Sequence, residues 1–171
     1  MLLPIIDVGL MNEHLSTHEG LLGKLDLYLI DSSATYLQKI ITIQQTVLKS
    51  HIQVMLELLN PSNENWIELP SINLEEKLSI SWPVYSDFDT LTKRITLELQ
   101  SAAKAMAHTN FTSALMMKNE NVKHVHYEMA VQQATYMNYI SAFVKEKDWA
   151  PSIKASQVTQ RKVIEHFNSL I

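Results

Sequence analysis

Seven histidines and no cysteine set the chemistry open to this chain of 171 residues. Without Cys there is no thiolate zinc site, iron–sulfur cluster, disulfide framework or thiol nucleophile. Imidazole remains as ligand, acid or base. His14 and His18 stand four residues apart, the spacing that places two ligands on one helical face, with Glu13 and Glu19 beside them. The sequence Ser16-Thr17-His18-Glu19 reads as a capping box, however, with Asn12 as an alternative start, and a helix starting at the box splits the pair. The expectation is therefore exposed polar residues at a helix start and no metal or other cofactor, with His14 and His18 as the one metal alternative. His124, His126 and Glu128 form a second group. A solvated His124–Glu128 pair on a helix surface accounts for it without metal. No Glu is followed three residues later by His, so the Glu-x-x-His signature of di-iron bundles is missing.

Other signatures of catalysis are sparse. The chain has no G-x-S-x-G, no P-loop and no G-x-G-x-x-G, and its three glycines all precede residue 24. One pattern stands out near the C-terminus, Arg161-Lys-Val-Ile-Glu-His166, of the form R-x4-H. It resembles the motif of HEPN domains, all-helical ribonucleases whose Arg and His face each other across a dimer cleft. The resemblance implies that Arg161 stabilises developing phosphate charge while His166 handles a proton. A polar residue, usually Asn, follows the Arg in that family; here it is Lys162.

These residues need scaffolding, and the periodicity supplies helices. Leu37, Ile41, Leu48, Met55 and Leu58 recur at heptad steps, with Gln44 and His51 in the intervening positions. Tyr36, Ile40, Ile43, Val47 and Val54 widen that face beyond what one partner helix covers. The spacing predicts helices over about 16–30, 32–59, 87–117 and 120–147, and a fifth from about 151 with Pro151 in its first turn. The third carries Phe88, Leu91, Ile95, Leu99, Ala102 and Met106, capped by Ser86 or Asp87. The fourth carries Val122, Val125, Met129, Tyr136, Ile140 and Phe143, and the fifth Ile153, Val158, Ile164 and Phe167. Residues 61–86 are the one long irregular stretch, read as a crossover over the end or side of a bundle, with a short capped helix at Asn73–Glu76. Trp66–Leu69 and Ile80–Trp82 are candidates for a small strand pair. The fold expected is all-α: a single domain over 1–171, a bundle of four to five helices with long amphipathic helices, an apolar N-terminal arm at 1–11 and the 61–86 crossover.

Composition narrows function further. A net charge of −4 and only two Arg weigh against nucleic-acid binding outside the ribonuclease alternative. No stretch approaches the ~18 uninterrupted apolar residues of a membrane span, and the apolar start lacks a basic leader region, so the expected compartment is the cytoplasm. The eight methionines read as core filler. Polar residues at core positions, namely Gln44, His51, Thr109, Gln132 and Gln133, set register and permit exchange of partners. That favours a non-catalytic interaction or scaffold protein that self-associates or binds another protein.

Two stretches carry a resemblance to a specific class of such proteins. One is the long helix Ala34–Leu59. The other is Glu75–Tyr85 leading into Leu91-Thr-Lys-Arg-Ile-Thr-Leu-Glu-Leu-Gln-Ser-Ala-Ala-Lys104. Together, over roughly residues 30–117, the pattern resembles the phasins, helical proteins that coat polyhydroxyalkanoate granules. The resemblance implies adsorption to an apolar granule surface through Leu37, Ile40, Ile41, Val47, Leu48 and Met55.

Overall fold

The computed structural model describes residues 2–32, 34–74 and 90–170. Among them are five helices and no strand: α1 (Ile5–Asp31), α2 (Thr35–Leu59), α3 (Thr90–Met116), α4 (Glu120–Glu146) and α5 (Gln157–Asn168). The three-residue connections 32–34 and 117–119 make α1/α2 and α3/α4 antiparallel hairpins, as short links between helices require. α3 packs along α4 most extensively, α1 along α2 next, and contacts of α1 with α3 and of α2 with α3 and α4 join the hairpins into a bundle. The all-α bundle expected from periodicity is what the chain forms.

Helix starts differ from expectation where side-chain caps were decisive. α1 begins at Ile5, after Pro4, so most of the expected N-terminal arm is helical and the capping box lies mid-helix. Ser16 and Thr17 instead donate to the carbonyls of Asn12 and Glu13, one turn back. The early start is held by Asp7, fully buried, whose carboxylate accepts from the backbone N–H groups of Lys118 (2.9 Å) and Asn119 (2.8 Å). These lie just before α4, where a buried anion is favoured. Asn119 completes that helix start by accepting from the N–H groups of Asn121 and Val122.

Helix α5 also departs from expectation. Pro151 lies in extended chain, and the helix starts at Gln157 with Ser156 as cap, accepting from Thr159 N–H. α4 stops earlier because Asp148 turns left-handed at φ 52°. Trp149 N–H then donates to Val144 O, and Asp148 N–H to Lys145 O, the paired bonds that close a helix C-terminus.

The crossover runs along α4 as far as it is described. Asn121 accepts from Ile67 N–H (2.8 Å) and donates to Ile67 O (2.7 Å), and Gln132 Nε2 donates to Pro70 O (3.0 Å). Trp66–Leu69 forms no strand. Its suggested partner Ile80–Trp82, the second half of the Asn73–Glu76 helix (Glu75 and Glu76), the caps Ser86 and Asp87, and Phe88 lie outside the described residues.

Two apolar clusters fill the interior. One gathers Leu37, Ile40, Ile41, Val47, Leu48, Ile95, Leu99, Tyr136, Ile140 and Phe143, among others. The other gathers Met11, Val54, Met55, Leu58, Met117, Val122, Val125 and Met129. Met11, Met55, Met106, Met117 and Met129 fill the core as expected, whereas Met116, also expected there, is exposed and Met137 is half-buried. Between the clusters each helix of the four presents buried polar side chains: His14 and His18, His51, Asn110 and Ser113, His126 and Gln133.

Candidate functional site

The polar belt is the chemically richest place in the molecule. His14 and His18 share a face, as their spacing allows, because α1 starts well before them. They are buried rather than exposed at a helix start, which corrects the favoured sequence reading. His51 enters from α2 at the heptad position that interrupted the apolar stripe, and His126 from α4. His126 is likewise buried, whereas His124 stays partly exposed beside Trp66 and Glu68, its ring centroid 5.7 Å from the indole. His124 and Glu128 thus lie toward solvent, as the sequence reading has them, although the carboxylate beside His124 is that of Glu68; His126 points inward because the apolar face of α4 runs through Val122, Val125 and Met129.

Hydrogen bonds fix the protonation of these rings. His18 Nδ1 lies 2.7 Å from His14 O, and a carbonyl oxygen only accepts, so Nδ1 carries the proton and Nε2 a lone pair. His126 follows the same logic, with Nδ1 donating to Val122 O at 2.8 Å and Nε2 bearing a lone pair. That Nε2 is buried with no hydrogen-bond partner among the described residues. Gln132 Nε2 donates to Pro70 O, so its Oε1 faces His51 Nε2 (3.1 Å) and accepts from it. His51 Nδ1 then carries the lone pair, and it faces His18 Nε2 at 3.3 Å. His14 adds a ring 5.1 Å, centroid to centroid, from His126 and joins Ser113 Oγ through Nε2 at 2.9 Å.

Burial keeps these imidazoles neutral. It pushes His18 and His126 down to about 4 and His51 to about 3, the neighbouring imidazoles adding a smaller push, and it lowers His14 as well. Two turns along α2 and α4 from the imidazoles, Gln44 Nε2 donates to Gln133 Oε1 at 2.9 Å, while Gln44 Oε1 and Gln133 Nε2 find no partner among the described residues. Thr109, expected in the core, is exposed. Among the described residues, no group of three or more His, Asp or Glu side chains is placed, as it stands, to hold a metal ion.

The other predicted positions lie elsewhere. Leu37, Ile40, Ile41, Val47, Leu48 and Met55 have zero exposure and face the bundle's own interior, so they reach an outside surface only if the helices part. Arg161 and His166 sit on α5, exposed, and their five-residue separation places them about 140° apart around the helix. His166 stacks edge-on against Phe167 at 4.8 Å. α5 buries none of its residues; Val163, Ile164 and Phe167 share one exposed face, with Leu170 beyond the helix end. The body offers an apolar groove of about 460 Å³ between α3 and α4, lined by Ala107, Phe111, Tyr127, Ala130, Val131 and Ala134. No helix among the described residues is long and apolar enough to cross a membrane. No protein-family model, no curated protein and no solved structure matches this chain.

Proposed function

We propose that this protein is a non-catalytic helical interaction protein that self-associates, with α5 of one copy seated in the α3/α4 groove of a second. The observation that carries the reading is α5 itself: a capped helix with an apolar face and no buried residue. A twelve-residue helix is marginal in water unless something covers its apolar side. The groove supplies a matching surface. Its apolar lining on α4 runs from Tyr127 to Ala134, and the apolar face of α5 from Val163 to Phe167, continued past the helix end by Leu170. Each stretch covers eight residues, seven steps and so about 10 Å at the helical rise. Ala107, Ala130 and Ala134 form a shallow floor that admits a helix closely, and Phe111 and Val131 stand exposed at its rim.

Sedimentation velocity over a concentration series tests the reading. The wild type associates, and Val163→Asp and Phe167→Asp each shift it to monomer without changing helix content, because α5 contributes nothing to the core. A wild type that stays monomeric to high micromolar concentration overturns the proposal. So does a monomer that adsorbs to apolar particles through the same residues, which would make it a coat of the phasin kind. His166→Ala leaves association unchanged on this reading. A ribonuclease activity lost in that variant would replace the proposal with the HEPN alternative.

A further inference from the structure

We propose that the polar belt is a metal site, in which His18, His51 and His126 bind one divalent transition-metal ion of the zinc class. His18 and His51 form the preformed pair, and His126 joins by rotation of its side chain. The geometry of the pair carries the inference. Two neutral imidazoles face each other lone pair to lone pair at 3.3 Å in a site without exposure. Neither can donate, because each has its proton committed to an oxygen on its far side. Such a contact satisfies neither nitrogen, and burial makes an unsatisfied polar atom costly.

Three things could bridge the two nitrogens. A proton would do so, but burial disfavours the imidazolium at neutral pH. A water about 2.8 Å from both nitrogens would subtend only about 70°, well inside the spread of its two O–H bonds. An ion about 2.0–2.1 Å from each would subtend about 105–110°, close to the tetrahedral angle that zinc adopts. The observed separation therefore fits a nitrogen-ligated ion better than either rival.

The surroundings fit as well. His126 would give up its bond to Val122 O on rotating, but His18 and His51 are each anchored through the other nitrogen, His18 on His14 O and His51 on Gln132 Oε1. This is the outer-shell pattern that orients ligating histidines and fixes their tautomers. His126 Nε2 is buried without a hydrogen-bond partner among the described residues, and His126 lies in electrostatic range of His18 and His51. The fourth position falls to His14, now engaged with Ser113, or to water. Imidazole-only ligation selects zinc, copper, nickel or iron over calcium and magnesium. α1, α2 and α4 each supply one ligand, so the ion would tie both hairpins together and its binding would couple to folding.

The test uses the full chain, stripped with chelator and titrated with zinc chloride against a competing chromophoric chelator. The expected result is one zinc per chain. His18→Ala and His51→Ala each weaken binding at least 100-fold, while His108→Ala and His124→Ala leave it unchanged. Because a buried substitution can unfold the bundle, X-ray absorption of the zinc-loaded wild type provides a second reading. Three or more imidazole ligands support the site. No stoichiometric zinc, affinity that follows His108 or His124, or fewer than three imidazoles overturns it.

Discussion

At the scale of single residues, neutrality of the buried imidazoles has a direct consequence for pH. His18, His51 and His126 take up protons in the unfolded chain near the ordinary value of 6.5, but resist them in the fold down to about 4, 3 and 4. The groups around them are His14, Glu13 and Asp7, together with the neutral Gln132. Unfolding below pH 6.5 therefore binds protons, so stability is full above that value and falls as pH drops toward 4. Each histidine contributes up to about 1.4 kcal/mol per pH unit across that window. Urea unfolding at pH 7.5 and 5.0 checks this. A midpoint markedly lower at pH 5.0 is expected, and equal midpoints would contradict the buried neutral belt. The belt was half legible beforehand. Met11, His14, His18 and Leu25 follow steps of three, four and seven, a continuous inward face. Reading the capping box as a helix start hid it, because a local capping pattern was given precedence over periodicity.

At the scale of helices, periodicity carried well and caps carried less. α2 and α4 fall within a few residues of their expected bounds, and every apolar residue expected on the inner face of α4 is buried. On α3 the inner face holds Ile95, Leu99 and Met106, but Ala103 rather than Ala102, and Leu91 is largely exposed. Small alanines carry too little hydrophobicity to fix the rotation of a helix by themselves. α1 bears a testable inefficiency. Gly20 and Gly23 lie in its interior, exposed, and a Cβ at either meets nothing within 4 Å. Gly20→Ala and Gly23→Ala should each stabilise the protein by roughly 1 kcal/mol, read as a higher urea midpoint with unchanged slope. A loss of stability would mean that α1 needs the freedom of glycine there.

At the scale of the whole molecule, the fold class was readable and the use of its apolar faces was not. The wide stripe of α2 suggested an outward binding surface, yet two hairpins supply enough partner helices to cover it completely. The apolar surface left uncovered includes α5 and the α3/α4 groove. Leu48→Asp should therefore unfold the bundle instead of severing a partner, since it buries a charge with no counterpart. Loss of helical circular dichroism at 25 °C is the expected outcome, and a folded variant that only loses binding would contradict the core placement. The central claim is that α5 of one copy lies in the groove of another. Because the chain has no cysteine, mixed single-cysteine variants address it most directly. Phe167→Cys and Ala134→Cys, prepared separately and mixed under mild oxidation, should give a disulfide-linked heterodimer faster than either gives a homodimer. No preference for the mixed pair would contradict the account.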